Sequence, residues 1–245
     1  MSKYVATVAM AIVTVMTMAM SARPSLPAGV YDPRAPHAPS GYVLTYGHNF
    51  TSQGRGDWVT QPFSSATDLI STRFGYGIKL TGKNQWSEIV SSNAVVGPNS
   101  FVQALVYIPA GPKKLTANWP AFWTTGNPWP QNGEIDILEG SAGRSCLLTH
   151  YGSPTHHVNP PGHCAKQGSA VGWVTVSMLR TGGKVTAWYG STKIGTVPLP
   201  LNANQQLAFD NQDGPDDICQ PCNGPLVYPT TAWLSRVSVW NKRQS

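Results

Sequence analysis

From Gly41 onward, short runs rich in Val, Ile, Thr and aromatic residues alternate with clusters of Gly, Pro, Asn, Asp and Ser. The runs are Tyr42–Tyr46, Trp58–Gln61, Gly77–Thr81, Ser87–Val90, Phe101–Ile108, Ile135–Leu138, Leu147–Tyr151, Trp173–Leu179, Lys184–Tyr189, Gln206–Phe209 and Leu234–Trp240. Turn residues bound each one, which predicts strands. Thr175, Ser177 and Thr186 alternate with apolar neighbours, as in strands with one wet face. Eleven such segments with no amphipathic helical stretch between them predict an all-β chain, an antiparallel β-sandwich.

The chain before Gly41 has a different pattern. Lys3, an apolar run from Tyr4 to Met20, and the small residues Ala19, Ser21 and Ala22 before Arg23-Pro24 read as a secretory signal over residues 1–22. Thr14 and Thr17 interrupt the run and no charge cluster follows it, which argues against a membrane anchor. Arg23–Ser40 is a Pro/Ala-rich lead, an extended linker or unpaired arm. Residues 41–245 then form a single domain. Export makes the four cysteines disulfide candidates, and Cys146 with Cys164 and Cys219 with Cys222 is the preferred of three connectivities. His156, His157, His163 and Cys164 could instead be drawn as a zinc cluster, but export favours the disulfide and leaves the histidines on a solvated loop.

Charged residues make up only 11% of the chain, which excludes long charged helices, coiled coils and solvated tails. Seventeen Lys and Arg against eleven Asp and Glu give a net charge of +6. The basic residues are scattered, the densest run being Lys113-Lys114, so nucleic acid is not expected as a partner. Nine Trp, nine Tyr and six Phe in a polar chain suit a sheet whose exposed rings meet a flat apolar ligand face.

The acids are the informative charges. The chain holds three glutamates, Glu88, Glu134 and Glu139, and the last two fall with Asp136 inside six consecutive residues. Chance would put about 0.3 acids there at an overall frequency of 11 in 245. Alternation places Glu134 and Asp136 on one strand face, with Ile135 and Ile137 toward the core. Strict alternation would then bury Glu139, so a one-residue bulge near Ile137-Leu138 is expected to return it to the face of Glu134. The two glutamate Cα atoms would lie roughly 13 Å apart along the strand. Their carboxyls could then meet at about 5 Å, the separation used by retaining glycosidases. One carboxylate would attack the anomeric carbon, the other carboxyl would protonate the leaving oxygen, and Asp136 would assist the nucleophile. On this reading Glu134 is ionised and Glu139 holds its proton. A calcium site or a solvated strand face is the alternative.

Trp119-Pro-Ala-Phe-Trp123 and Trp129-Pro130 lie just upstream, and indole faces stack on the C–H surfaces of sugar rings. Phe122 and one Trp are expected to be buried, Trp123 and Trp129 exposed. His150, in Thr149-His150-Tyr151, is expected beside the acidic strand, hydrogen-bonded to Glu139 or to the leaving group.

Trp119-Pro-Ala-Phe-Trp123, Trp129-Pro130 and Gly133-Glu-Ile-Asp-Ile-Leu-Glu139 together resemble glycoside hydrolase family 16, the laminarinase-like endo-β-glucanases, in the motif form with a residue inserted before the last Glu. Weaker resemblance extends over Gly41 to Trp240. It implies a concanavalin-like β-jelly-roll with a concave cleft, with Glu134 as nucleophile, Asp136 as its assistant, Glu139 as acid/base and His150 on the next strand. Two positions depart from the family pattern, Leu105 standing where many members have Arg and Met178 where Trp is usual. The function implied is a secreted, monomeric, retaining endo-glycosidase acting on internal β-1,3 linkages of a β-glucan by double displacement. Its partner is the polysaccharide, with no nucleic acid and no membrane after signal cleavage. No catalytic metal or cofactor is required, and a structural calcium ion stays open. A lectin-like glycan-binding module, a transglycosylase and a galactan hydrolase are the alternatives on the same fold.

Overall fold

The computed structural model describes residues 32–61, 68–213 and 224–243. The signal stretch, Cys219 and Cys222 lie outside the described residues. In chain order the strands are β1 (Tyr42–Asn49), β2 (Trp58–Thr60), β3 (Asp68–Thr72), β4 (Gly75–Leu80), β5 (Trp86–Ser91), β6 (Ser100–Ile108), β7 (Trp119–Thr125) and β8 (Glu134–Ser141). They continue as β9 (Arg144–Ser153), β10 (His156–Val158), β11 (His163–Cys164), β12 (Gly172–Thr181), β13 (Lys184–Tyr189), β14 (Thr192–Pro198), β15 (Gln206–Gln212) and β16 (Thr230–Lys242). One turn of helix, Phe50–Gln53, follows β1. Every predicted segment falls on a strand, two of them, Trp58–Gln61 and Gly77–Thr81, running one residue past its end. The sequence reading missed β3, β10, β11 and β14, and it read β7 as a tryptophan segment rather than a strand.

The strands form two eight-stranded antiparallel sheets. The outer sheet runs β14-β13-β12-β6-β16-β4-β3, with β1 also on β16, and the inner sheet runs β10-β9-β8-β7-β15-β5-β2, with β11 also on β9. Alternation decides what lies between them. Val102, Ala104, Val106 and Ile108 of β6 and Val174, Val176 and Met178 of β12 meet Ile89, Phe122, Ile135, Leu207 and Phe209 of the inner sheet in one core. Met178, one of the two departures from the family pattern, is therefore a core residue, and Leu105 lies on the outer sheet's opposite face, buried. Neither reaches the concave side. Residues of the lead rest on that outer face: the Asp32 amide donates to Thr175 Oγ1 and the Gln103 amide to the Pro36 carbonyl, and Ala35 is buried.

A proline near the start of a central strand is unusual because it removes a ladder donor. Pro120 pairs with Asn211 of β15 on one side. On the other side the β7–β8 register ends at Ala121 opposite Glu139, and the ring of Pro120 packs on Gly140, where a Cβ would lie 2.7 Å from its Cδ. The disulfide between Cys146 and Cys164 joins β9 to β11 across a Cα separation of 3.9 Å and clips the intervening loop to the inner sheet.

Candidate active site

The acidic motif is strand β8, in the middle of the concave face, with β7 and β9 beside it. Gly133 precedes it with φ +72, and a Cβ there would stand 2.6 Å from Leu201, so this entry needs glycine on both counts. The bulge stands where the alternation required it. Phe122 pairs with Leu138 but Trp123 with Asp136, so Ile137 has no partner on β7, and the β8–β9 register also slips between Asp136 and Glu139. Ile137 and Leu138 are both buried, and Glu139 returns to the face of Glu134 and Asp136. The Ile137 carbonyl, displaced from the regular ladder, accepts a 3.0 Å hydrogen bond from the buried Tyr189 hydroxyl of the outer sheet.

Three indoles of the upstream segment each donate to a different carboxylate. Trp119 Nε1 donates to Glu139 Oε1 at 2.8 Å, Trp129 Nε1 to Glu134 Oε2 at 2.7 Å and Trp123 Nε1 to Asp210 Oδ2 at 2.7 Å. Phe122 and Trp119 are buried, Trp123 is half-buried and Trp129 is 49% exposed. Trp119 thus offers an edge to a carboxylate rather than an open face to a sugar, whereas Trp129 keeps a free face.

His150 differs from expectation. It pairs across the ladder with Glu134, while Cys146 is the residue opposite Glu139. Its Nε2 lies 3.2 Å from Asp136 Oδ2 and 3.9 Å from Glu134 Oε1, and its Nδ1 lies 2.8 Å from Asn159 Oδ1. The histidine therefore serves the Glu134–Asp136 end. Register decides this, since the two residues of offset between His150 and Leu148 carry the ring away from Glu139. Glu134, Asp136 and His150 each bring one donor atom within 4.8 Å of the others, a spacing that could hold a cation. No sign of the alternative zinc cluster of His156, His157, His163 and Cys164 appears among the described residues, because Cys164 is in the disulfide.

Two acids that the sequence reading did not place complete the floor. Asp210 of β15 lies directly opposite Glu88 of β5 on one side and Ala121 on the other, and Ala121 in turn faces Glu139. A cavity of about 160 Å³ brings together Glu88, Glu134, Asp136, Glu139 and Asp210, walled by Trp86, Trp119 and Trp123. All three glutamates of the chain are in this one cleft. That rarity was the available signal for Glu88. For Asp210 it was the alternation Gln206, Ala208, Asp210, which the predicted strand ended one residue too soon.

Burial and crowding set the proton affinities. Desolvation first, and the neighbouring Asp136 second, push Glu134 up to about 8, against the Trp129 bond and the His150 charge. Desolvation raises Glu139 to about 6, opposed by the Trp119 bond, and raises Glu88 to about 7. Asp136 rises to about 6 through burial and the Glu139 charge. Asp210, buried with Glu88 and Glu139 near it, stands well above its ordinary value. Burial would lower His150, but the bond to Asp136 outweighs it and carries the imidazole to about 9. Burial thus raises the proton affinity of both glutamates, with the neighbouring carboxyl of Asp136 adding to it at Glu134.

Residues 85–171 match the family model for the XgeA-like catalytic domain of glycoside hydrolase family 16. An endo-1,3(4)-β-glucanase of Emericella nidulans is 28% identical over 112 residues, 40% of this chain and 17% of that protein. The matched stretch is thus under a fifth of the length of such curated relatives, being 13% of the corresponding Aspergillus niger protein. Among solved structures, SCLam, a non-specific endo-β-1,3(4)-glucanase, superposes with a TM-score of 0.65 at 17% identity, covering 85% of this chain and 94% of that one. The Crh5 transglycosylase does so with a TM-score of 0.60 at 12% identity, covering 85% of this chain and 90% of that one. These likenesses are of fold. The acidic motif and the bulge that aligns its two glutamates lie inside the stretch that is similar to the glycoside hydrolase family 16 catalytic domain.

Proposed function

We propose that the protein is an exported, retaining endo-glycosidase that hydrolyses internal β-1,3 linkages of a β-glucan, laminarin-like or of mixed linkage. The observation that carries this reading is the bulge at Ile137, which brings Glu134 and Glu139 to one face of a concave sheet with Asp136 between them. Glu134 attacks the anomeric carbon and Glu139 gives its proton to the departing glycosidic oxygen. Water, deprotonated by Glu139, then releases the sugar from Glu134 with net retention. Asp136 and His150 form an ion pair against the nucleophile, so the charge that Glu134 loses on attack is balanced inside the cleft. The free face of Trp129 beside Glu134 suits stacking on a sugar ring next to the scissile bond.

Laminarin, mixed-linkage glucan, agarose and carrageenan assayed side by side, with the anomeric form of the first product followed by NMR, test the reading. Release of β-anomeric oligosaccharides from the glucans is expected. Inversion, or activity confined to sulfated galactans, would overturn it. Transglycosylation is the second reading, favoured by the likeness to a transglycosylase, and it shares the first chemical step. Longer products at high oligosaccharide concentration would identify it. Glucan binding by fresh protein without release of reducing sugar would instead identify a lectin-like module.

A further inference from the structure

The segment that returns along β9 meets the catalytic group twice. His157 of β10 lies opposite Gly152 of β9. Its ring stands edge-on to the indole of Trp129, with centroids 5.0 Å apart at 77°, and 5.5 Å from the ring of His150. Two residues on, and so on the same face of an extended chain, Asn159 Oδ1 lies 2.8 Å from His150 Nδ1. The two side chains touched in this way are the two that face the nucleophile pair: Trp129, which donates to Glu134 at 2.7 Å, and His150, whose Nε2 lies 3.2 Å from Asp136 Oδ2 in an ion pair. Gly152 permits the close return, for a Cβ at its φ of +123 would stand 2.2 Å from the His156 carbonyl.

We propose that the β9–β10 hairpin is a positioning clamp for the reaction: His157 keeps the Trp129 indole turned onto Glu134, and Asn159 keeps the His150 imidazole turned onto Asp136. The proposal rests on the reading of Glu134 as nucleophile and names what holds its donors in place. A half-exposed indole keeps rotamer freedom unless something packs against it, and an edge-on aromatic ring is such a restraint. Asn159 occupies the outer nitrogen of His150, which leaves Nε2 aimed at Asp136.

The clamp bears on ionisation. The titratable groups facing Glu134 are Asp136 and Glu139 on its own strand, His150 on β9 and Glu88 on β5, with His157 behind Trp129. The Trp129 bond and the His150 charge both favour the ionised nucleophile against burial and the other carboxyls. Loosening Trp129 shifts the ionisation of Glu134 to higher pH.

The test uses the whole chain labelled with ¹⁵N-tryptophan, without substrate, from about pH 4 to about pH 9. The Trp129 indole N–H is identified among the nine by its loss in Trp129→Phe. In the wild type this signal follows the titration of Glu134. In His157→Ala its midpoint is expected to rise by about one pH unit, a tenfold loss of ionised nucleophile at a pH below both midpoints. The alkaline limb of kcat/KM on laminarin, which follows Glu134, should move with it, and His157→Phe, which keeps the ring, should bring both back to within about twofold of wild type. An unmoved midpoint in His157→Ala, or a His157→Phe no better than His157→Ala, would overturn the clamp. Wild-type protein that fails to cleave any β-glucan would sink the glucanase reading alone, and the indole titration would still decide the clamp.

Discussion

At the residue scale the cleft is an exercise in keeping five carboxyls together in a charge-poor protein. Each of Glu134, Glu139 and Asp210 receives one indole N–H, a donor that stabilises negative charge without adding a cation, and His150 supplies the positive charge beside the Glu134–Asp136 pair. The reaction needs Glu134 ionised and Glu139 protonated, and burial raises the proton affinity of both. The rate should follow a bell whose limbs belong to the pair, near 6 on the acid side and near 8 on the alkaline side. A rate still rising above pH 9 would be incompatible with both limbs lying below that pH. Glu134→Ala should lower turnover of every substrate by about 10³-fold or more, since the covalent step has no substitute. Glu139→Ala should retain the first step on aryl glycosides with good leaving groups, and azide should restore turnover with retained configuration. Azide rescue of Glu134→Ala to a retained product would show that the roles are exchanged.

At the element scale, strand β8 works because it is irregular. Its bulge turns Ile137 and Leu138 both into the core and frees a backbone carbonyl, which the Tyr189 hydroxyl of β13 satisfies. Removing that hydroxyl leaves a buried carbonyl without a partner. Tyr189→Phe should therefore destabilise the fold by about 2 kcal/mol. It should also lower kcat on unactivated glucan more than on activated aryl glycosides, because the bulge aims the acid and only the former needs it. Thermal unfolding and paired kinetics would check both, and equal losses on the two substrates would reject the coupling of bulge to acid.

At the scale of the whole molecule, the sandwich holds a floor of acids whose proton affinities are raised on folding, and this fixes how stability responds to pH. Glu134, Glu88, Glu139 and Asp136 move from ordinary values near 4 to about 8, 7, 6 and 6. His150 moves from 6.5 to about 9. Each of these groups binds its proton more tightly in the native state than in the unfolded chain, so stability contributed by the cleft is complete at low pH and lost as pH rises through about 4 to 9. The melting temperature should fall between about pH 5 and about pH 8.5, and a rise over that interval would contradict the sign. The Cys146–Cys164 bridge closes 18 residues of separation. By loop entropy, replacing both cysteines with serine should cost about 3 kcal/mol, or about 6–12 °C in Tm for a domain of this size. Calorimetry of the double variant would measure it.

The pattern of apolar and polar residues by itself determined the all-β class, eleven of the sixteen strands among the described residues and the need for a bulge near Ile137-Leu138, because a buried unpaired Glu139 would have been too costly. The local sequence also determined the acidic triad, and the cysteine count with the export signal pointed to the Cys146–Cys164 disulfide. What only the tertiary structure decided depends on partners far apart in sequence. Strand β7 was hidden by its proline, which is tolerated because Gly140 receives the ring. The register of β9 sent His150 to Asp136 rather than Glu139, and no local pattern records a register. Asp210 and Glu88 joined the cleft because β15 and β5 are neighbours in the sheet though more than a hundred residues apart in the chain. The raised proton affinities of the cleft carboxyls follow from that company, which the pairing of strands assembles and the sequence alone does not.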